Sequence, residues 1–236
     1  MSKKILAIIG LRSGSKGLKN KNIKLLGGIP LFAHILKSAK KSKLINRLVI
    51  STDSKHYQKL AKKWGADSPF LRPRKLAKDS SYEIDFIKDL LKKLKKKENY
   101  VPDIIVRLLA TCPFQKSLDI DRVIKKVLFK DYDSAVIISK SKQHPEKALK
   151  IIGSKRKYLT TYISNNPLRI GSKQNRQDFK SAYVRSNVIA CKKFVIEKYN
   201  SLTSQNTGFI IIPHTVDIDD KLDFDFANYY LKNKKL

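Results

Sequence analysis

The chain has 236 residues, with 51 Lys plus Arg against 20 Asp plus Glu, so its formal net charge at pH 7 is +31. That length suits one α/β domain with an ample core. The charge is compatible with nucleic acid, a membrane surface or an acidic small substrate as partner, or with a general lysine bias, since the lysines are spread through the whole chain.

Ile5 to Ile9 is a short apolar run ended by Gly10, which reads as a buried parallel strand. A loop rich in Gly, Ser, Lys and Arg follows, from Leu11 to Asn22. Leu31 to Leu44 has apolar residues at helical spacing, with Pro30 near its start. Leu48 to Ile50 is a second strand, leading into Ser51, Thr52 and Asp53. Residues 54 to 64 read as a helix closed by Gly65, and Ser68 to Leu71 as a third strand that delivers Arg72 and Arg74. Residues 82 to 97 form an amphipathic helix whose Ile84, Ile87, Leu90, Leu91 and Leu94 share a face. Asp103 to Leu109 is a strand, Asp119 to Phe129 a helix and Ser134 to Ile138 a strand. This alternation implies a parallel sheet with right-handed crossovers. From Ser139 to Lys180 short β-like pieces (Ala148 to Ile152, Tyr158 to Ile163) are separated by polar turns, as in an inserted hairpin or small lobe. Strands at Asn187 to Cys191, Gly208 to Ile212 and Thr215 to Ile218, then a helix from Lys221 to Leu231, complete the main domain.

No apolar run is long enough to span a bilayer. Met1-Ser-Lys-Lys runs directly into a strand-length segment, unlike a signal peptide. Cys112 and Cys191 match no zinc spacing and read as free thiols of a reducing compartment. A soluble, cytoplasmic protein is the expectation. The four histidines (His34, His56, His144, His214) make no metal or triad spacing and read as structural.

Ligands of open α/β sheets bind outside the carboxyl ends of the strands. The loop after the first strand carries Arg12, Lys16 and Lys21 there, with Gly14 and Gly17 to let the backbone approach an anion. A Walker loop is excluded, because Ser15 rather than Gly precedes Lys16; the Gly-x-Gly-x-x-Gly pattern is absent too. The loop is either a phosphate loop of another kind or a solvated basic turn. Asp217 and Asp219 flank Ile218 in a strand-like stretch, so alternation puts both carboxylates on one face. Two hard oxygens side by side suit Mg²⁺; an exposed acidic strand end is the alternative. Asp53 reads as a helix N-cap or a nucleotide contact. Arg176 and Gln177 lie in a polar loop, to grip an acidic acceptor or simply to be solvated. A nucleic-acid surface needs aromatics among its basic residues, and the aromatics here fall mostly at core-like positions, which disfavours that partner.

Several segments together resemble the CMP-sialic acid synthetase family, the acylneuraminate cytidylyltransferases. Leu11-Arg-Ser-Gly-Ser-Lys-Gly-Leu-Lys-Asn-Lys-Asn22 is similar to that family's opening motif. Gly28-Ile-Pro-Leu31, Val49-Ile-Ser-Thr-Asp53, Phe70-Leu-Arg-Pro73 with Leu76-Ala77 and Asp79, and Thr111-Cys-Pro113 follow in order. So do His144-Pro145 with Lys147, Arg176-Gln177, and Val216-Asp-Ile-Asp219 with Asp223-Phe224. The resemblance implies an α/β fold: one Rossmann-like nucleotidyltransferase domain over residues 1–236, a mostly parallel sheet with helices on both faces, and a small inserted β-rich dimerisation lobe over residues 139–180. It implies transfer of CMP from CTP to an acidic nine-carbon sugar with release of pyrophosphate, by a homodimer. An octulosonate or a phosphonate as acceptor is the alternative. Arg12, Ser15, Lys16, Lys21, Asn22 and Arg72 would surround CTP, with Arg12, Lys16 and Lys21 stabilising the departing pyrophosphate. Asp217 and Asp219 would hold magnesium, and Lys147, Arg176 and Gln177 would face the acidic sugar. Two segments depart from the family: Leu109-Ala-Thr-Cys-Pro113 stands where many members have Gln or Arg before Pro-Thr-Ser-Pro, and Ser186-Asn187-Val188 stands where they have Asn-Gly-Ala.

Overall fold

A computed structural model of the chain describes residues 3–154, 156–166 and 179–233. The chain divides into two compact units. The first comprises Met1–Ile137, Ser186–Ile210 and Thr215–Leu236; the second comprises Ile138–Arg185 and Ile211–His214.

The elements run β1 (Ile5–Gly10), β2 (Leu25–Leu26), β3 (Ile29–Pro30), α1 (Leu31–Lys40), β4 (Arg47–Ser51), α2 (Lys55–Lys63), α3 (Glu83–Glu98), β5 (Ile104–Leu109) and α4 (Ser117–Phe129). They continue with β6 (Ser134–Lys140), β7 (Leu149–Ile152), β8 (Tyr158–Thr161), β9 (Tyr183–Lys192), α5 (Lys193–Tyr199), β10 (Thr207–Ile211) and α6 (Lys221–Asn233). The main sheet has the order β10-β6-β9-β5-β1-β4. β1 pairs in parallel with β4 on one side and β5 on the other, with Ile8 opposite Val49 and Arg107. Burial on both faces explains the unbroken apolar run: Ile5, Leu6, Ala7, Ile8 and Ile9 are each at most 3% exposed.

β9 lies antiparallel to β5, with Val106 opposite Ala190. It separates β5 from β6, so the sheet is mostly rather than wholly parallel. Alternating apolar residues look the same in either strand direction, and the reversal follows from pairing between segments distant in sequence. α5 is a seven-residue helix beyond the sequence reading; only Val195 and Ile196 of it are buried, too few to set up a helical repeat.

The expected third strand at Ser68–Leu71 is not a strand. Two isolated bridges, Val49 to Asp67 and Thr52 to Leu71, tie this stretch alongside β4, and the Pro after Arg72 removes the next donor. Thr215–Ile218 likewise forms no strand; its backbone is anchored where the Ile218 N–H donates to the Thr111 carbonyl at 2.9 Å. α1 stops at Lys40 rather than Leu44. α3 buries Phe86, Ile87, Leu90 and Leu94, whereas Ile84 and Leu91 of the expected stripe are only half-buried; Glu83 and Asp85 stand in its first turn and Lys95 to Lys97 in its last, as the helix dipole favours. In the second unit β7 and β8 form an antiparallel hairpin. No helix among the described residues is long and apolar enough to cross a membrane.

Candidate active site

The site starts where β1 stops. The Leu11 N–H donates to the Ser51 carbonyl at 2.8 Å, carrying the β1–β4 ladder one step past the strand. The loop then turns at Gly14, whose φ of +79° suits glycine. At Gly17 the loop passes so close to the stretch before α6 that a Cβ would lie 2.6 Å from the Asp219 carbonyl oxygen. The missing side chain is what brings the loop and Asp219 together.

Asp53 does not cap a helix. Ser54 caps α2 by accepting from the Tyr57 N–H, while the Asp53 carboxylate accepts from the Ser13 N–H at 2.8 Å and the Ser13 hydroxyl at 2.5 Å. Burial alone would raise the Asp53 carboxyl; the bonds from Ser13 and the charge of Arg72 hold it below its ordinary value.

Arg12, Ser15, Lys16, Lys21 and Asn22 line one cavity of about 400 Å³ with Arg72. All six residues expected around the nucleotide are thus gathered there. Asp79, Glu83, Leu109 and Asp219 line the same cavity. Among these carboxylates, two neutralise the loop. Asp79 Oδ1 accepts from Arg12 Nη1 at 2.5 Å, and its Oδ2 lies 2.6 Å from Lys16 Nζ. Those contacts with Lys16 and Arg12 keep the Asp79 carboxyl below its usual range. Asp219 Oδ1 lies 3.0 Å from Lys21 Nζ. The third, Glu83, faces a cation behind the wall: its Oε2 is 3.3 Å from Nε of Arg107, a β5 residue only 3% exposed. Asp219 was read from its alternation with Asp217 and Asp79 from the motif it shares with Leu76-Ala77, whereas no spacing announced Glu83; the three reach the cavity from two stretches of chain.

Arg72 is 6% exposed. Its Nε and Nη2 donate to Ser51 Oγ at 3.1 Å and to the Ser51 carbonyl at 2.7 Å, and its guanidinium lies 3.7 Å from the Phe86 ring centroid. Burial pulls its pKa down to about 10, against the pull of Asp53 and Glu83, so it stays charged at neutral pH. It is a rigid cation fixed in the wall, whereas Lys16, with 80% of its side chain exposed, is a movable one.

Ile218 is fully buried and its neighbours Asp217 and Asp219 are exposed. Asp219 lines the cavity, and Asp217 lies beside Cys112, whose thiol burial pushes up, with Asp217 adding to the shift. Lys147 lies in the second unit, its Nζ 5.9 Å from the Phe179 ring centroid. Arg176 and Gln177 fall outside the described residues.

A mostly parallel α/β sheet, with a cationic loop at the carboxyl end of its first strand ion-paired to carboxylates that line the same cavity, fits a nucleotidyltransferase. Residues 6–235 match the cytidylyltransferase family, and the chain belongs to that family. It is 29% identical to the post-translational flagellin modification protein B of Campylobacter coli, over 98% of this chain and 97% of that protein. It is 27% identical to the CMP-N,N'-diacetyllegionaminic acid synthase of Campylobacter jejuni, over 98% and 97% of the two chains. It is also 29% identical to the N-acylneuraminate cytidylyltransferase of Escherichia coli, over 96% of this chain but only 52% of that protein. A solved CMP:2-keto-3-deoxy-manno-octonic acid synthetase complexed with CTP shares the fold, with a TM-score of 0.72 at 14% identity, over 98% of this chain and 99% of that one.

Proposed function

We propose that the protein transfers the CMP group of CTP to a hydroxyl of an acidic nonulosonic sugar of the sialic or legionaminic type, releasing pyrophosphate. The observation that carries this reading is the grouping of Arg12, Lys16, Lys21 and Arg72 around one cavity in a chain of the cytidylyltransferase family. The names of the Campylobacter and E. coli relatives direct the choice of acceptor.

In the reaction the acceptor oxygen bonds to the α-phosphorus of CTP, and the bond from that phosphorus to the oxygen bridging to the β-phosphate breaks. Such transfers depend mostly on positioning and on neutralising charge. Arg12, Lys16 and Lys21 take up the charge of the departing pyrophosphate once it displaces Asp79 and Asp219 from them. Arg72, already held by Ser51, gives the nucleotide a fixed cation without reorganisation. Asp217 and Asp219 offer accessible hard oxygens on either side of a buried residue, a donor set that fits Mg²⁺. Bound there, the ion would polarise phosphate oxygens. Leu109 gives the cavity an apolar contact where many family members place a polar side chain.

Lys147, Arg176 and Gln177 are assigned to the acidic acceptor, the protein to a homodimer through the lobe over residues 139–180, and its place to the cytoplasm. The test is incubation of the purified protein with CTP, Mg²⁺ and a panel of N-acetylneuraminate, legionaminate-type and octulosonate acceptors, following pyrophosphate. Release with a nonulosonate supports the proposal. Release with the octulosonate alone moves the acceptor class, and no release with any of them refutes the reaction.

A further inference from the structure

We infer that Asp53 is a positioning residue, which together with Asn22 clamps the peptide group between Arg12 and Ser13 and so aims the Arg12 side chain. The inference rests on the reading of Arg12 as a nucleotide contact. The Arg12 carbonyl and the Ser13 N–H belong to one planar unit, and side chains from two other parts of the chain bind its two ends. Asn22 Nδ2 donates to the Arg12 carbonyl at 3.1 Å, and the Ser13 N–H donates to Asp53 Oδ1 at 2.8 Å. Asn22 is only 6% exposed, so its amide is itself held by its surroundings.

The placement of Asp53 follows from the sheet. Gly10 pairs with Ser51 in the β1–β4 register, and the Leu11 N–H donates to the Ser51 carbonyl. Two residues further on each strand, the next parallel rung would join the Ser13 N–H to the Asp53 carbonyl. The Asp53 side chain accepts that N–H instead. The ladder is thereby extended into the loop, while the Asp53 main chain is free to turn into α2, which Ser54 caps. The second carboxylate oxygen accepts from the Ser13 hydroxyl, which fixes the carboxylate against rotation. Beyond Ser13 the chain enters Gly14 at positive φ. Fixing the peptide plane fixes ψ of Arg12. Asp53 itself stands outside the residues lining the cavity, so its positional influence on a ligand runs through Arg12; its charge also attracts Arg72, and Asp53→Asn removes that attraction while keeping the clamp.

The full chain is titrated with CTP and Mg²⁺ by calorimetry, so that no acceptor is needed. Arg12→Ala is expected to weaken binding by about tenfold or more, and Asp53→Ala by about tenfold through misplacement of the guanidinium. In the Arg12→Ala background, Asp53→Ala should add nothing, because a double-mutant cycle exposes effects that run through a shared residue. Asp53→Asn should recover most of the affinity, since its amide oxygen still accepts from the Ser13 N–H and its NH2 can donate to the Ser13 hydroxyl. If Asp53→Ala does not fold, the same cycle is run with Ser13→Ala, with a smaller loss that again vanishes without Arg12. Losses that multiply, while Arg12→Ala alone is severe, overturn the clamp and leave the nucleotide site standing. Unchanged binding by Arg12→Ala overturns the assignment of Arg12 and the clamp with it.

Discussion

Lys21→Met separates binding chemistry from packing at the site. The Lys21 side chain is 13% exposed, while its partner Asp219 is 79% exposed. The stem is therefore packed and only the ammonium meets the cavity, so Met retains the packing and removes the charge. An ion pair with so exposed a partner contributes about 0–1 kcal/mol, which limits the fall in Tm to about 4 °C for a chain of this size. Asp219 is left facing solvent, so no buried charge is orphaned. A hydrogen bond to a charged phosphate oxygen is worth about 1.5–3 kcal/mol. At about 1.4 kcal/mol per factor of ten, kcat/KM for CTP should fall by about 10- to 150-fold. If Lys21 holds the leaving group, inhibition by added pyrophosphate should weaken by a similar factor. Pyrophosphate release gives the first quantity, product-inhibition kinetics the second and a thermal melt the control. A folded variant with both constants within about threefold of the wild type would take Lys21 out of the mechanism.

Gly17→Ala drives a Cβ against the Asp219 carbonyl, 2.6 Å away. Backbone cannot swing aside as a flexible side chain would, so a loss of about 1–3 kcal/mol is expected, read as a lower Tm together with weaker CTP binding; an unaltered melt would contradict the close approach. Asp79→Asn removes the carboxylate that occupies Arg12 and Lys16, so pyrophosphate should bind more tightly at low ionic strength by calorimetry, whereas weaker binding would show that Asp79 organises the loop instead of competing for it. Asp217→Asn combined with Asp219→Asn should abolish Mg²⁺-dependent turnover, as chelation should in the wild type; a double variant that still responds to Mg²⁺ places the ion elsewhere. The Asp53 carboxyl is held below its ordinary 3.8 in the folded chain, so its stabilising charge is present above that value and lost as pH falls through the folded one. Denaturant melts should therefore show the stability gap between wild type and Asp53→Asn closing below about pH 4, and a gap constant down to pH 3 would contradict the assignment.

Much of the first unit was legible in the residues because its elements carry strong local periodicity. The run Ile5 to Ile9 is apolar throughout because both faces of β1 are buried, and the α3 stripe repeats at helical spacing because one face packs inward. The loop stood out for a different reason: Arg12, Lys16 and Lys21 lie among glycines directly after a strand, where open α/β sheets meet their ligands. The resemblance of motifs then joined this loop to Arg72 and Asp219 across long stretches of chain, and the six residues it assigned to the nucleotide line one cavity.

The amino-acid sequence by itself determined the alternation of strands and helices, the cationic loop at the end of the first strand and the buried residue between two carboxylates, because each is a property of neighbours along the chain. Only the tertiary structure decided that β9 runs antiparallel between β5 and β6, that Ser68–Leu71 is bridged rather than paired as a strand, that Asp79 sits on Arg12 and Lys16, and that Asp53 takes over a rung of the ladder. Each of these depends on which distant groups meet at hydrogen-bond distance. A carboxylate reads the same in sequence whether it caps a helix, holds a peptide group or fills an anion site, and the packing of the sheet is what chooses among them.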